Sequence, residues 1–519
     1  MNGAESLVRT LLASGIDTCF ANPGTSEMHF VAALDSHTQM RCVLGLFEGV
    51  VTGAADGYFR MADKPAATLL HLGPGLANGL ANLHNAKKAR SGIVNVVGEH
   101  ATYHLQHDAP LTSDIAAVAK PMSDWVRTAA SAATLANDTA LAVQASRTPP
   151  GRISTLILPA DAAWGEAVGA PESGAAPLAP VARSAVGADA IRSAVTMLRS
   201  GEPAALLLGG IGVRERSLEL AGRIAAATGC GLVAEYNTPR LRRGAGTVHT
   251  DRIPNSVEGA LGLLSKYRHL ILVGAAVPVA FFATPGKPSV LVPEGCKVTR
   301  LAAVGYDIDA ALEQLAGELG ARTQAPARIA ERRSGGLPLG KVTSESVARV
   351  LEELLPDDAV VVDEAVTSGR VFHGLTAGAA PHDWLNAMGG SIGFCMPVAV
   401  GAAIACPGRK IVALEGDGSG MYTLQALWSM AREQLNVVVV VFANRAYKIL
   451  KAEMTRMGGS RPGGSADAVL TLDRPDLDWV SLARGHGVEA GRAEDMDTFI
   501  REFRRGLAAS GPYLIELVI

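Results

Sequence analysis

Residues 411–447 read IVALEGDGSGMYTLQALWSMAREQLNVVVVVFANRAY, and this stretch decides the fold. Two apolar runs rich in β-branched residues, one ending at Leu414 and one at Phe442, enclose a stretch of helical length. Neither run alternates with polar residues, so both faces of each strand are covered, as in a parallel α/β sheet. In such sheets ligands sit beyond the carboxyl ends of the strands. Asp417, within Gly416-Asp417-Gly418, follows the first strand, and Asn444 follows the second. A strand–helix–strand unit with adjacent strands brings the two to one sheet edge. One carboxylate oxygen, one amide oxygen and a backbone carbonyl just beyond make half of an octahedral oxygen shell. Mg²⁺ accepts such a set when phosphate oxygens and water complete it. The glycines allow close approach of a diphosphate, and Ser419 and the following helix N-terminus add donors. Taken singly, Gly-Asp-Gly is a turn and Asn444 a strand-end cap; together at two strand ends they favour metal and diphosphate.

The same alternation of apolar run and amphipathic helix fills the chain. AATLLHL and GIVNVVG stand early, PAALLLGG, GLVAEY and HLILVGAAV in the middle, and AVVVDEA late. Two Pro-, Gly- and Ala-rich stretches, Gly165 to Ala185 and Gly320 to Gly340, lack apolar periodicity and read as linkers. The expected organisation is three consecutive doubly wound, mainly parallel α/β domains, at 1–164, 186–319 and 341–519. The first and third blocks share a layout of strand, Gly-x-Gly turn (HLGPG, LEGDG), helix and strand, which suggests two related domains flanking a third.

Composition narrows the partners. The 519 residues carry a net charge of −3, with no electrostatic footprint for nucleic acid or an anionic membrane. The six cysteines are scattered without a C-x-x-C pair, which argues against a zinc site or disulfide framework and fits a reducing cytoplasm. The first residues, MNGAESLVRTLLASG, read as an amphipathic helix and not a signal peptide. No uncharged apolar run reaches membrane-spanning length. G-x-G-x-x-G is absent; LGGIGVRE is the nearest approach to a dinucleotide turn.

GDG followed by ANRAY resembles the diphosphate–Mg²⁺ motif of thiamine diphosphate (ThDP) enzymes. The order of three blocks resembles the benzoylformate decarboxylase, pyruvate decarboxylase and acetolactate synthase group over essentially the whole chain. The resemblance implies a pyrimidine-binding domain, a middle domain and a diphosphate-binding domain. It makes Asp417, Asn444 and the Ala446 carbonyl the metal ligands, with Gly416, Gly418, Ser419 and Tyr447 around the diphosphate. In AMGGSIGFCMPVAVGAA, Ile392 matches the residue that props the cofactor in its bent form, and the Gly390 carbonyl matches an acceptor for its amino group. On its own, GFCMPVAVGAAIA is equally a plain buried helix. Thr367 and Ser368, after AVVVDEA, are further cofactor contacts by the same likeness.

Glu48 lies in LFEGVVTGAADGY (46–58), among apolar neighbours and with no cation until Arg60. Read alone it is a helix-entry acid; the resemblance makes it the glutamate that activates the cofactor, with the small residues after it packed beside a bound ring. Thr25, in ANPGTSEMHF, is either a helix-capping turn residue or, by the likeness, the hydroxyl that meets the substrate carboxylate. His71, ending ATLLHL, is either a satisfied core histidine or the family's proton-transfer histidine. His107, in YHLQHDAP, resembles the paired histidines of pyruvate decarboxylase only loosely, since His104 is not adjacent to it.

The implied activity is Mg²⁺-dependent decarboxylation of a small-molecule 2-oxo acid with an apolar or aromatic side chain, giving an aldehyde and CO₂. One departure keeps an acetolactate synthase-like carboligase open, and a second counts against it. AAVPVAFFATPG places Phe281 and Phe282 where benzoylformate decarboxylase has a second histidine. KILKAEMTRM lacks the tryptophan of acetolactate synthases, although Ile449 and Leu450 suit an apolar pocket. A catalytically silent relative and a nicotinamide dehydrogenase are the remaining readings. Some relatives carry FAD in the middle domain, which is not favoured here. The resemblance also implies a homodimer or homotetramer with active sites between subunits.

Overall fold

The computed structural model describes residues 1–457 and 463–519. The first sheet comprises β1 (Thr18–Asn22), β2 (Arg41–Leu44), β3 (Ala66–Leu70), β4 (Ile93–Glu99), β5 (Trp125–Thr128) and β6 (Ile153–Pro159). Its order is β2-β1-β3-β4-β6-β5, and every pair is parallel. The inner strands β3, β4 and β6 are buried along their whole length, which is why their sequences show no polar alternation.

The second sheet takes β7 (Ala204–Leu208), β8 (Gly231–Ala234), β10 (Asp251–Arg252), β11 (His269–Val273) and β12 (Lys297–Ala302), in the order β10-β8-β7-β11-β12. The third contains β13 (Val360–Asp363), β14 (His382–Asn386), β15 (Ile411–Gly416), β16 (Val437–Ala443), β17 (Glu489–Ala493) and β18 (Tyr513–Val518). Three mainly parallel α/β sheets in succession match the expectation.

One strand crosses between blocks. β9 (Leu241–Arg243), from the middle of the chain, pairs antiparallel with β14 and closes the third sheet, in the order β17-β18-β16-β15-β13-β14-β9. β14 is buried throughout, so its outer edge needs a partner for its backbone. Arg243 holds the strand down: its guanidinium lies 5.0 Å from the Trp384 ring centroid and donates to the His373 carbonyl at 2.5 Å.

The first and third sheets are joined through two helices, Glu48–Ala62 and Cys395–Ala405. Their contact is made by glycine. A Cβ on Gly57 would stand 2.1 Å from the Val398 carbonyl oxygen, and one on Gly401 1.8 Å from that of Ala54. Small residues after Glu48 therefore pack on a helix of the same chain. The Cys395–Ala405 helix is buried almost throughout, as the plain reading of its sequence has it. Arg60, 1% exposed, is paired with Asp56 at 2.6 Å and donates to the Asn386 carbonyl at 2.7 Å, which pins the first block to the third.

Candidate active site

The first cluster forms at the carboxyl ends of β1, β2 and β3. The loop after β1 carries exposed Thr25 into a short turn, Thr25–Glu27. Glu27, 1% exposed, accepts from the Gly24 N–H at 2.7 Å and faces His71 Nδ1 at 2.8 Å. Glu27 is the residue that sequence reading missed; its signal is an acid three residues past Gly24, at the entry of an apolar helix. Burial pushes its carboxyl up, opposed by the Gly24 N–H and by His71. Its second oxygen, Oε1, has no hydrogen-bond partner among the described residues, and a Cβ on Gly98 would lie 1.6 Å from it.

Glu48 opens its helix and is buried, with 8% exposure. Asn78 Nδ2 donates to its Oε2 at 3.0 Å. A Cβ on Gly75 would meet Glu48 Oε1 at 3.1 Å and His71 Cβ at 3.3 Å, so Gly75 lets the two approach. Glu48, His71, Glu27 and the Thr25 loop thus form one group. His107 lies outside it, on an exposed turn with its ring 5.5 Å from that of His104.

The second cluster forms at the carboxyl ends of β13, β15 and β16. β15 and β16 are neighbours, with Gly416 opposite Phe442. Asp417 Oδ1 accepts from the Gly418 N–H at 2.9 Å, and its Oδ2 from the Arg445 N–H at 2.5 Å. The Asn444 side-chain oxygen accepts from the Ala446 N–H at 3.1 Å. Burial pushes the Asp417 carboxyl up, and these N–H groups oppose the shift. The Arg445 carbonyl accepts from Leu472 and that of Tyr447 from Leu450, whereas the Ala446 carbonyl takes no such backbone bond among the described residues. An acid, an amide and a free carbonyl are three hard oxygens, a donor set that fits Mg²⁺. Tyr447 covers Gly418, where a Cβ would stand 2.5 Å from its ring. The Ser419 hydroxyl donates to Glu415 at 2.5 Å.

Behind this edge lie two further acids that sequence reading passed over. Glu364 accepts from the N–H groups of Phe394 and Cys395, both at 2.8 Å, and burial pushes it up to about 8. Burial and the charge of Glu364 raise Glu415 well above its ordinary value. Ser368 is buried beyond β13, and Thr367 stands half-buried before it. The loop with Gly390 and Ile392 is pinned from the first block: His84 Nε2 lies 3.0 Å from the Gly389 carbonyl oxygen, and Asn85 and Asn82 donate to the carbonyls of Ser391 and Gly393. Gly390 holds φ +73°, which favours glycine, and the tip of the Phe281 ring would lie 2.8 Å from a Cβ there.

Leu72, Val366 and Arg445 hold φ of +47°, +29° and +56°, left-handed values that non-glycine residues seldom take. All three stand just past β3, β13 and β16, next to the groups described. Backbone strain of this kind collects at functional sites. Apart from both clusters, a cavity of about 640 Å³ opens beyond β7 and β11, bordered by Arg90, Arg183, Arg214 and Glu235. Burial raises Glu235 to about 7.

Comparison with known proteins agrees with this geometry. Residues 1–118 match the N-terminal TPP-binding domain of thiamine pyrophosphate enzymes, and residues 367–517 match the C-terminal TPP-binding domain. A Mycobacterium tuberculosis protein named "Putative acetolactate synthase large subunit IlvX" is 50% identical, over 100% of this chain and 99% of its own length. Benzoylformate decarboxylase of Pseudomonas aeruginosa is 28% identical, over 97% of this chain and 96% of its own. The structure of Rhodococcus jostii RHA1 thiamine diphosphate-dependent 4-hydroxybenzoylformate decarboxylase superposes with a TM-score of 0.86 at 25% identity, covering 99% of this chain and 98% of that one. The chain therefore belongs to the thiamine diphosphate-dependent enzymes, in the family that holds benzoylformate decarboxylase and acetolactate synthase.

Proposed function

We propose that this enzyme decarboxylates a 2-oxo acid with an apolar or aromatic side chain, using ThDP and Mg²⁺, and releases an aldehyde. The observation that carries the reading is the His71 imidazole fixed on buried Glu27, beside Glu48. An aldehyde product requires a proton at the carbon that CO₂ leaves, and a histidine backed by a carboxylate holds one there. When bound, ThDP supplies the carbon nucleophile and the sink for the electron pair. Glu48, away from water, hydrogen-bonds the cofactor's pyrimidine nitrogen, and Thr25 meets the substrate carboxylate. Asp417, Asn444 and the Ala446 carbonyl hold Mg²⁺; Gly416, Gly418, Ser419 and Tyr447 surround the diphosphate. Gly390, Ile392, Thr367 and Ser368 complete the cofactor's seat, while His107 is a weaker participant because of its exposure.

The reading includes a cytoplasmic homo-oligomer with sites between subunits. Its support is apolar surface next to the second cluster: Tyr422 is 53% exposed, Phe281 52% and Leu450 48%. Among the described residues, no helix is long and apolar enough to cross a membrane.

A second reading has two specific supports, the name borne by the relative at 50% identity and the apolar Phe281 against Gly390. On it, a second carbonyl compound is captured in place of the proton. A panel of 2-oxo acids, with products identified as aldehyde or acyloin, separates the two. Acyloin alone from every substrate would refute decarboxylation to the aldehyde as the main outcome.

A further inference from the structure

We infer that Cys19 and Cys42 form a reversible disulfide on exposure to a small hydroperoxide, with Cys42 the thiol attacked and Cys19 the one that resolves it. The two lie far apart in sequence, yet the register of β1 and β2 sets them directly opposite each other. Neighbouring strands run about 4.8 Å apart, inside the window of about 4.4–6.8 Å between α-carbons that a disulfide accepts. Register partners in a parallel pair project to the same face, and both residues pack against the same apolar core.

Their surroundings divide the roles. Cys42 stands on β2, the edge strand of its sheet, and is half-buried, whereas Cys19 on β1 is fully buried. A small oxidant reaches only Cys42. The neighbouring Cys19 thiol also holds the Cys42 thiol below its usual range, while burial pushes Cys230, Cys296, Cys395 and Cys406 up. The thiolate is the form that attacks peroxide.

The steps balance. The Cys42 thiolate takes one peroxide oxygen as the O–O bond breaks, giving a sulfenic acid and an alkoxide or hydroxide that is then protonated. Cys19 sulfur then attacks Cys42 sulfur, the S–S bond forms, and the sulfenic oxygen leaves as water with the Cys19 proton. Two thiols lose two electrons in all, and a thiol reductant returns them.

The bond would act on the first cluster. The cross-link would tie the edge strand β2 to β1 at their Cys19–Cys42 register pair. These strands lead into the Thr25 loop and Glu48, and a shift of about 1 Å in such groups would cost about 100-fold in turnover.

The test treats full-length ThDP–Mg²⁺ enzyme with stoichiometric hydrogen peroxide, followed by peptide mapping and assay before and after dithiothreitol. A Cys19–Cys42 linked peptide, and turnover that falls and recovers with reductant, are expected. In Cys19→Ser, dimedone should label Cys42; in Cys42→Ser, peroxide should leave turnover unchanged. Free thiols at both positions, oxidation confined to other cysteines, or peroxide sensitivity persisting in Cys42→Ser would overturn the inference. Mapping of the unmodified sequence reads the bond directly, whatever the stability of the variants.

Discussion

The two sheet edges use the same topology for opposite chemistry. At the first edge, buried carboxyl groups face side-chain nitrogen: Glu27 on His71 and Glu48 on Asn78. At the third, Asp417 and the Asn444 amide face backbone N–H groups, and the Ala446 carbonyl beside them takes no backbone bond among the described residues. The first edge is suited to holding and moving protons, the second to a hard cation and its anionic ligand. A parallel sheet supplies only a place; the residue just past each strand decides what that place does.

The contrast is broken most severely at Glu48 and Asp417. Glu48→Gln should lower turnover by about 10²–10⁴-fold while leaving thermal stability and Mg²⁺–ThDP binding nearly intact. Asp417→Ala should instead abolish saturable Mg²⁺–ThDP binding in a titration of apoprotein, and turnover with it. If both variants lose cofactor binding equally, the division between proton work and cation work is wrong.

Gly401→Val tests how the edges are held in relation to each other. Its side chain would enter the Ala54 carbonyl, so stability should fall by about 3 kcal/mol in urea unfolding. An unchanged midpoint would show that the two helices part at little cost. Glu27→Gln should reduce turnover about tenfold and change its pH profile, since burial raises the Glu27 carboxyl, whereas a merely structural Glu27 would leave that profile in place.

The smallest effect lies behind the third edge. Glu364 is raised in the fold from about 4.5 to about 8, so the folded state binds more protons than the unfolded one between those values. Its contribution is full below about pH 4.5 and is lost as pH rises through about 8. Glu364→Gln should flatten that decline in thermal melts recorded across the interval. An undiminished slope would assign it to other groups, Glu415 first.

Much of this was legible in the sequence. Asp417 and Asn444 announce themselves because each follows a run that is apolar on both faces, and Glu48 because a lone acid among apolar residues is conspicuous. Glu27 was hidden because an acid near a helix start is ordinary; only the fold shows that His71 reaches it from another strand. Glu364 and Glu415 were hidden for a related reason, since their burial depends on how the third sheet is covered. β9 left no mark at all. Three residues are too few to carry a period, and their pairing depends on a strand more than a hundred residues away.

That short strand has a practical meaning for anyone who would take the chain apart. A fragment beginning at residue 341 would carry the whole Asp417–Asn444 edge but would leave β14 with an unpaired, buried-type margin. Such margins recruit other chains, so the fragment should aggregate where a longer piece that retains 241–243 would not. The middle block is thus a clasp on its neighbour, and hinge motion between them is limited to what three residue pairs of antiparallel ladder will tolerate.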